Sequence, residues 1–279
     1  VSDIRKIEVD WISGSVTVRR AEGDSIEFSE DYQGEEKYRL RYSVENGTLH
    51  IQACQSGTVL NIPKKALTLS LPDALYQELK LSVGSAKLTL SDVRADELEL
   101  DSISGDIELA RVEASELKID TTSGSIRGQS LTVSELELDS VSGSVTLTGG
   151  AYEKLDFDST SGDLTLTSAA VGELSADTTS GSLTLDGAFE TIDFDTTSGA
   201  LHLTTSILPQ DISCDTVSGG VTLTLPENGG FSATLDSVSG DLTVDGFAGS
   251  LHRDEFVYGQ GGPAYEFDSV SGDVHIRCA

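Results

Sequence analysis

Asp101, Asp120, Asp139, Asp158, Asp177, Asp195, Asp215, Asp236 and Asp268 recur at near-constant spacing, with Asp10 as an earlier member, and this row of carboxylates is the feature best suited to chemistry. In a fold that stacks its repeats, neighbouring carboxylates stand about 4.8 Å apart and repel by roughly 1 kcal/mol each even in water, so the row needs compensation. Calcium, which takes several carboxylate oxygens at once, is one way to supply it, and Asp120, Asp139 and Asp158 are then the candidate ligands. Turn amides, hydroxyls and dissolved salt are the other, and the uniformity of the row favours them. On that reading no metal or other cofactor is required.

Other residues offer less. Glycoside hydrolysis needs two carboxylates at a set separation, and lyase chemistry needs an Arg or Lys base beside an acidic cluster. Arg127, one coil beyond Glu108, is the cation to consider, and an exposed cross-strand pair accounts for both. His202 and His275 share an outward column several coils apart, too far to share a metal. Thr89, Thr146, Thr165, Thr184, Thr222 and Thr243 share that column, where threonine suits an exposed strand, so a flat hydroxyl face for water or glycan is the weaker reading. Cys54, Cys214 and Cys278 are odd in number and widely spaced, which fits neither a disulfide framework nor a CxxC metal site, and Cys214 reads as a small core residue. Tyr258 and Arg253, in a segment that breaks the repeat, are the candidate ligand-binding residues; no catalytic residue is assigned.

The elements that position these groups follow from the glycines. Gly105, Gly124, Gly143, Gly162 and Gly181 are each 19 residues apart, and the series continues at Gly199, Gly219, Gly240 and Gly272. Ala86 holds the same column one step earlier. Seven residues before these glycines stand Leu98, Leu117, Leu136, Leu155 and Leu174, five before stand Leu100, Ile119, Leu138, Phe157 and Ala176, and two after stand Ile107, Ile126, Val145, Leu164 and Leu183. Alternate residues of a strand share a face, so these columns stack inward into a core. Hydroxyl pairs such as Ser102 and Ser104, or Thr121 and Ser123, continue the alternation and are expected to point inward, bonding along the ladder or to the bending backbone. The glycine permits a corner that a side chain would obstruct or that needs positive φ.

A 19-residue turn rich in β-branched residues is too short for helical repeats and lacks the leucine-rich frame, which leaves a parallel β-solenoid. Crossover handedness and the absence of a hexapeptide pattern select the right-handed form. The expected architecture is all-β, a single-domain right-handed parallel β-helix of ~19-residue coils. It comprises an irregular β region with the first coils at residues 1–80, regular coils at 81–245, and an excursion with one last coil at 246–279. Ten or so coils would make a rod on the order of 50 Å. Function is expected where the period fails, at residues 19–80 and 246–263.

Composition narrows the partners. With 47 Asp plus Glu against 18 Lys plus Arg, a formal charge of −29, the chain is unsuited to nucleic acid or to an anionic membrane surface. Apolar runs are too short to insert into a bilayer. The chain starts at Val1 and contains no Met, as a processed or trimmed chain would, so any signal or anchor lies outside it.

The units D-[ST]-x-S-G-[DS]-[LIV]-x-L, the opening Ile7-Glu8-Val9-Asp10-Trp11-Ile12-Ser13-Gly14-Ser15-Val16 and the closing Ser269-Val270-Ser271-Gly272-Asp273-Val274 resemble the bacterial "putative adhesin" domain family, over nearly the whole chain. The resemblance implies a β-solenoid of the cell envelope or extracellular side, held there by an anchor outside this chain. It implies a scaffold or interaction domain for a protein or glycan at the cell surface, and it brings no catalytic residues. The competing reading is a carbohydrate-active β-helix of the polysaccharide lyase or hydrolase type.

Overall fold

The computed structural model describes residues 4–55, 57 and 62–279; within the irregular 19–80 stretch, residues 56 and 58–61 lie outside the description. The chain is all-β: its described helix content is one 3-10 turn at Glu36–Tyr38, and most strand pairs are parallel. It divides into two compact units, Val1–Asp139 and Ser140–Ala279, and each is a β-solenoid built from the same coil.

A coil contains a long strand such as Arg94–Ser102, the Ser-Gly corner, a short strand such as Ile107–Ala110, and a second corner. In-register parallel pairing stacks like residues: Leu98 on Leu117 and Leu100 on Ile119 in the first unit, Leu155 on Leu174 and Phe157 on Ala176 in the second. These columns are buried, and at roughly 1.5–3 kcal/mol for each fully buried large apolar side chain they hold the stack together.

The first corner works by close approach. A Cβ added to Gly124 would fall 2.1 Å from the Gly105 carbonyl oxygen, and one added to Gly181 would fall 2.0 Å from that of Gly162. None of the repeat glycines has positive φ, so obstruction and not handedness excludes side chains here. The second corner is the left-handed one: Asp92, Arg111 and Ser130 in the first unit and Gly149 and Ser168 in the second all have φ between 52° and 65°.

The expected hydroxyl pair splits. The first hydroxyl is buried in most coils and accepts the glycine N–H, as in Thr121 Oγ1 from Gly124 (3.0 Å) and Ser140 Oγ from Gly143 (2.8 Å). The second is exposed, against expectation: Ser123 donates to the Ile103 carbonyl (3.3 Å) and Ser161 to that of Val141 (3.3 Å). Strand alternation stops at the first hydroxyl, where the strand ends, so the residues beyond it swing outward.

Both chain termini are built into the interior of their stacks. Lys6–Trp11 pairs with Thr48–Gln52 on one side and Leu75–Val83 on the other. Likewise Ala264–Ser269 lies between Asp211–Thr216 and Gly230–Ser237, so the last coil of the chain does not end its stack. Antiparallel strands cover several of the outer edges instead, while Leu242–Asp245 pairs only with Val274–Cys278. Arg41–Glu45 covers Thr48–Gln52, Glu27–Glu30 covers Lys65–Leu71, and Glu255–Gly259 covers Gly230–Ser237.

At the first end, Lys65 is nearly fully buried and donates to Glu30 Oε2 (2.6 Å), the Tyr38 carbonyl (2.6 Å) and the Ala53 carbonyl, with Nζ 4.7 Å from the Trp11 ring centroid. An ammonium has three donors, and all are used, so one residue ties three segments of the irregular region to the first coil. In the second unit Phe231, Phe247, Phe256, Tyr258 and Tyr265 form one aromatic cluster.

The corner makes a direct prediction. Gly124→Ala should destabilise the protein by about 3 kcal/mol, because the intruded atom is backbone and cannot rotate away. Gly23→Ala, with nothing within 4 Å of the added carbon, should be near neutral. Urea denaturation of the two variants measures the difference.

Candidate functional site

The corners bring three columns to one face: the repeat Asp, the residue between the two hydroxyls, and the exposed second Ser. In the second unit the Asp column runs Asp158, Asp177, Asp195, Asp215, Asp268, Asp236, each paired in register with the next. The inserted last coil thus places Asp268 between Asp215 and Asp236. Beside it runs a ridge of β-branched residues, Val141, Thr160, Thr179, Thr197, Val217, Val270 and Val238, all exposed, Val238 to 83%.

The two units treat the same column differently. In the first, Lys80 bonds Glu99 (2.6 Å) and lies 4.0 Å from Asp101, while Lys118 bonds Glu137 (2.5 Å) and lies 3.5 Å from Asp139. Ser82 also donates to Asp101 (2.8 Å). In the second, no Lys or Arg occurs between Lys154 and Arg253. Residues 140–279 contain 21 acidic and 3 basic residues, a formal −18, against 26 and 15 in residues 1–139, a formal −11. Asp177, Asp195, Asp215, Asp236 and Asp268 make no ion pair among the described residues. This charge segregation was readable as a 98-residue interval without a base, and a count over the whole chain hides it.

The expected compensation by corner amides falls to a different residue. Asp106 accepts the Ser125 N–H (3.0 Å), Asp163 that of Ser182 (2.9 Å) and Asp273 that of Asp241 (3.0 Å). These side chains follow the glycine and staple coil to coil, which leaves the repeat Asp column facing solvent.

Electrostatics follow the geometry. Partial burial and then the hydrogen bond with Asp139 raise the Asp120 carboxyl to about 6, against the opposing pull of Lys118. Burial, then Asp193, Asp215 and Asp177, raise Asp195; burial, then Asp215 and Asp236, raise Asp268. Among the described residues no group of His, Cys, Asp and Glu is arranged to hold a metal ion, and the calcium ligand set Asp120, Asp139 and Asp158 gains no support from the arrangement.

The remaining candidates scatter. Arg253 lies in the turn between Ser250–His252 and Glu255–Gly259, left-handed (φ 56°) and exposed. Tyr258, at the other end of that hairpin, packs 5.1 Å from Phe247 and 5.9 Å from Phe231, so the fold does not bring the two together. Arg127 is opposite Glu108 in register, and Glu108 is already bonded by Lys87 (2.7 Å). His275 stands two positions from His202, with Thr222 between, closer than chain order implied; at on the order of 10 Å they still cannot share a metal. Its Nε2 contacts Asp245 Oδ2 (2.8 Å). Cys214 lies between Phe194 and Phe267, where burial pushes its thiol up to about 12, as expected of a core residue. In the irregular segment, Glu30, Tyr32, Gln33, Glu36, Arg39, Leu40 and Arg41 line an open depression of about 560 Å³, in which Arg39 is committed to the Gly34 and Gln33 carbonyls.

The Toastrack DUF4097 family matches residues 4–188 and again residues 129–277, which together span nearly the whole chain. The chain belongs to the Toastrack DUF4097 family. The overlapping matches agree with a fold that adds like coils. No functionally curated protein matches the sequence. Among solved structures, a putative adhesin from Parabacteroides merdae is similar at 18% identity over 80% of this chain and 90% of that one, with a TM-score of 0.44. A putative adhesin from Bacteroides fragilis is similar at 13% identity over 99% and 94%, with a TM-score of 0.34. A putative cell adhesion protein from Clostridium sporogenes is similar at 10% over 100% and 95%, with a TM-score of 0.24. Among the described residues no helix is long and apolar enough to cross a membrane.

The raised carboxyls fix the sign of a pH effect. A carboxyl whose folded pKa is raised binds its proton more tightly folded than unfolded, so stability is greatest below its ordinary value near 3.9 and is lost as pH rises through the folded value. For Asp120 that window closes at about 6. The melting temperature should therefore be higher at about pH 4.5 than at about pH 7.5, by roughly 2 °C or more. Asp195→Asn should raise it at the higher pH and leave it unchanged at the lower; scanning calorimetry at both pH values checks this.

Proposed function

We propose that this Toastrack domain is a non-enzymatic interaction domain of the cell envelope, and that its second unit presents the carboxylate column to an extended cationic partner. The observation that carries the reading is the uncompensated ladder of Asp177, Asp195, Asp215, Asp268 and Asp236. Each neighbouring pair, about 4.8 Å apart, costs on the order of 1 kcal/mol, and the first unit uses Lys80 and Lys118 to reduce that cost. An array kept without such relief, on an exposed face beside a β-branched ridge, suits a ligand that supplies the missing positive charge.

Repetition also favours binding over catalysis. An active site gathers unlike groups at one point, whereas this face repeats one chemistry per coil, which matches a long ligand with regularly placed charges. The envelope location rests on the resemblance of the repeat units to the bacterial putative adhesin domain family.

Oligolysine immobilised on a biosensor should bind the protein with an affinity that falls steeply as salt rises. The triple variant Asp195→Asn, Asp215→Asn, Asp268→Asn should bind at least tenfold more weakly. Asp101→Asn with Asp120→Asn, in the lysine-balanced unit, should change little. Equal binding by the native protein and the triple variant would remove the ladder from the account. Depolymerisation of a polyuronate by the native protein would replace the interaction reading with an enzymatic one.

A further inference from the structure

The strand Arg41–Glu45 is the outermost strand at the end of the first unit, and all five of its residues are exposed, including Tyr42 (64%) and Val44 (52%). It pairs with Thr48–Gln52 through the two-residue turn Asn46-Gly47, whose φ values of 52° and 82° are those of a tight hairpin turn. In such a hairpin the closing pair, Glu45 and Thr48, exchanges backbone hydrogen bonds. By alternation Ser43 and Arg41 also face Thr48–Gln52, which leaves the N–H and C=O groups of Tyr42 and Val44 directed to the open side. No described strand pairs on that side.

We propose that this edge is a self-association surface, on which a second copy of the chain adds its own Arg41–Glu45 strand antiparallel about a two-fold axis through Ser43. The sequence Arg-Tyr-Ser-Val-Glu is complementary to itself in that register. Arg41 meets Glu45 of the second copy twice over, and Tyr42 meets Val44 twice over, an aromatic and β-branched pairing that stabilises antiparallel strands. The register also agrees with the backbone: Tyr42 and Val44, whose polar groups face outward, become the hydrogen-bonded pairs, and Ser43 stands opposite itself in a non-bonded pair. The other free edges lack this property. Glu27–Glu30 would set Glu27 against Glu30, Leu242–Asp245 would set an aspartate against a leucine, and Ser250–His252 offers only three residues. Arg41 is held at present by two long contacts with the exposed Glu36, 3.5 Å to its carboxylate and 3.4 Å to its carbonyl, which are weak enough to exchange.

Because the formal charge of −29 opposes association at long range, the test belongs at physiological ionic strength, where charges are screened beyond about 8 Å. Sedimentation equilibrium of the whole chain should show a reversible monomer–dimer equilibrium. Arg41→Glu alone and Glu45→Arg alone each place like charges opposite one another twice and should raise the dissociation constant at least tenfold. The double variant, with both substitutions, restores opposite charges in the same register and should return the constant to within about threefold of the native value, a difference of under 1 kcal/mol. Thermal melts of the monomers verify that these exposed changes leave the fold intact. A native protein that stays monomeric up to about 0.5 mM, a dimer indifferent to the single reversals, or a double variant no better than the single ones would each overturn the proposal.

Discussion

Everything in this chain depends on how closely one coil's backbone approaches the next at the Ser-Gly corner. The Gly105 carbonyl oxygen occupies space 2.1 Å from where a Cβ on Gly124 would stand, so in the regular coils that follow the corner closes only with glycine. That contact, with the buried hydroxyl that accepts the glycine N–H, fixes where each long strand ends and hence the register of the strands on both sides. The core columns are a consequence of that register, and so is the exposed face. The same geometry that buries Leu98 on Leu117 sets one Asp over another, and the fold cannot have the first without the second.

The two units answer that enforced proximity in different ways. The first interleaves Lys80 and Lys118 with its acidic neighbours, and each lysine serves two carboxylates. The second leaves its column without a cation, with Asp195 and Asp268 raised by burial first and then by the neighbouring carboxylates. The coil folds with either arrangement, so the charge difference is free to serve the proposed binding role of the second unit. The insertion of the first and last coils into their stacks has a related logic. Lys6–Trp11 and Ala264–Ser269 are each held on two edges, which protects them from fraying, and antiparallel strands cover several of the outer edges.

Much of this was legible in the sequence, because a 19-residue period is local information: the glycine, apolar and Asp columns fall out of spacing alone. The second hydroxyl of each pair, as at Ser123, turns outward against the sequence expectation, since alternation holds only along a strand and the strand ends at the hydroxyl before it. The position of the last coil was not legible for a deeper reason. All coils carry the same pattern, so Asp211–Thr216 is equally compatible with Gly230–Ser237 and with Ala264–Ser269, and only the cap hairpin that occupies Gly230–Ser237 decides between them. Lys65 gave no sequence signal at all. Its role arises from Glu30, Tyr38 and Ala53, which converge only in the fold.

The central claim, that register creates an uncompensated carboxylate ladder completed by the inserted last coil, is tested most directly at Asp268. A carboxyl-carbon NMR titration should place its midpoint above the ordinary aspartate value in the native protein, and Asp215→Asn, at a residue 53 positions away in sequence, should bring that midpoint down. An ordinary midpoint for Asp268 that Asp215→Asn leaves unmoved would contradict both the ladder and the order of coils that forms it.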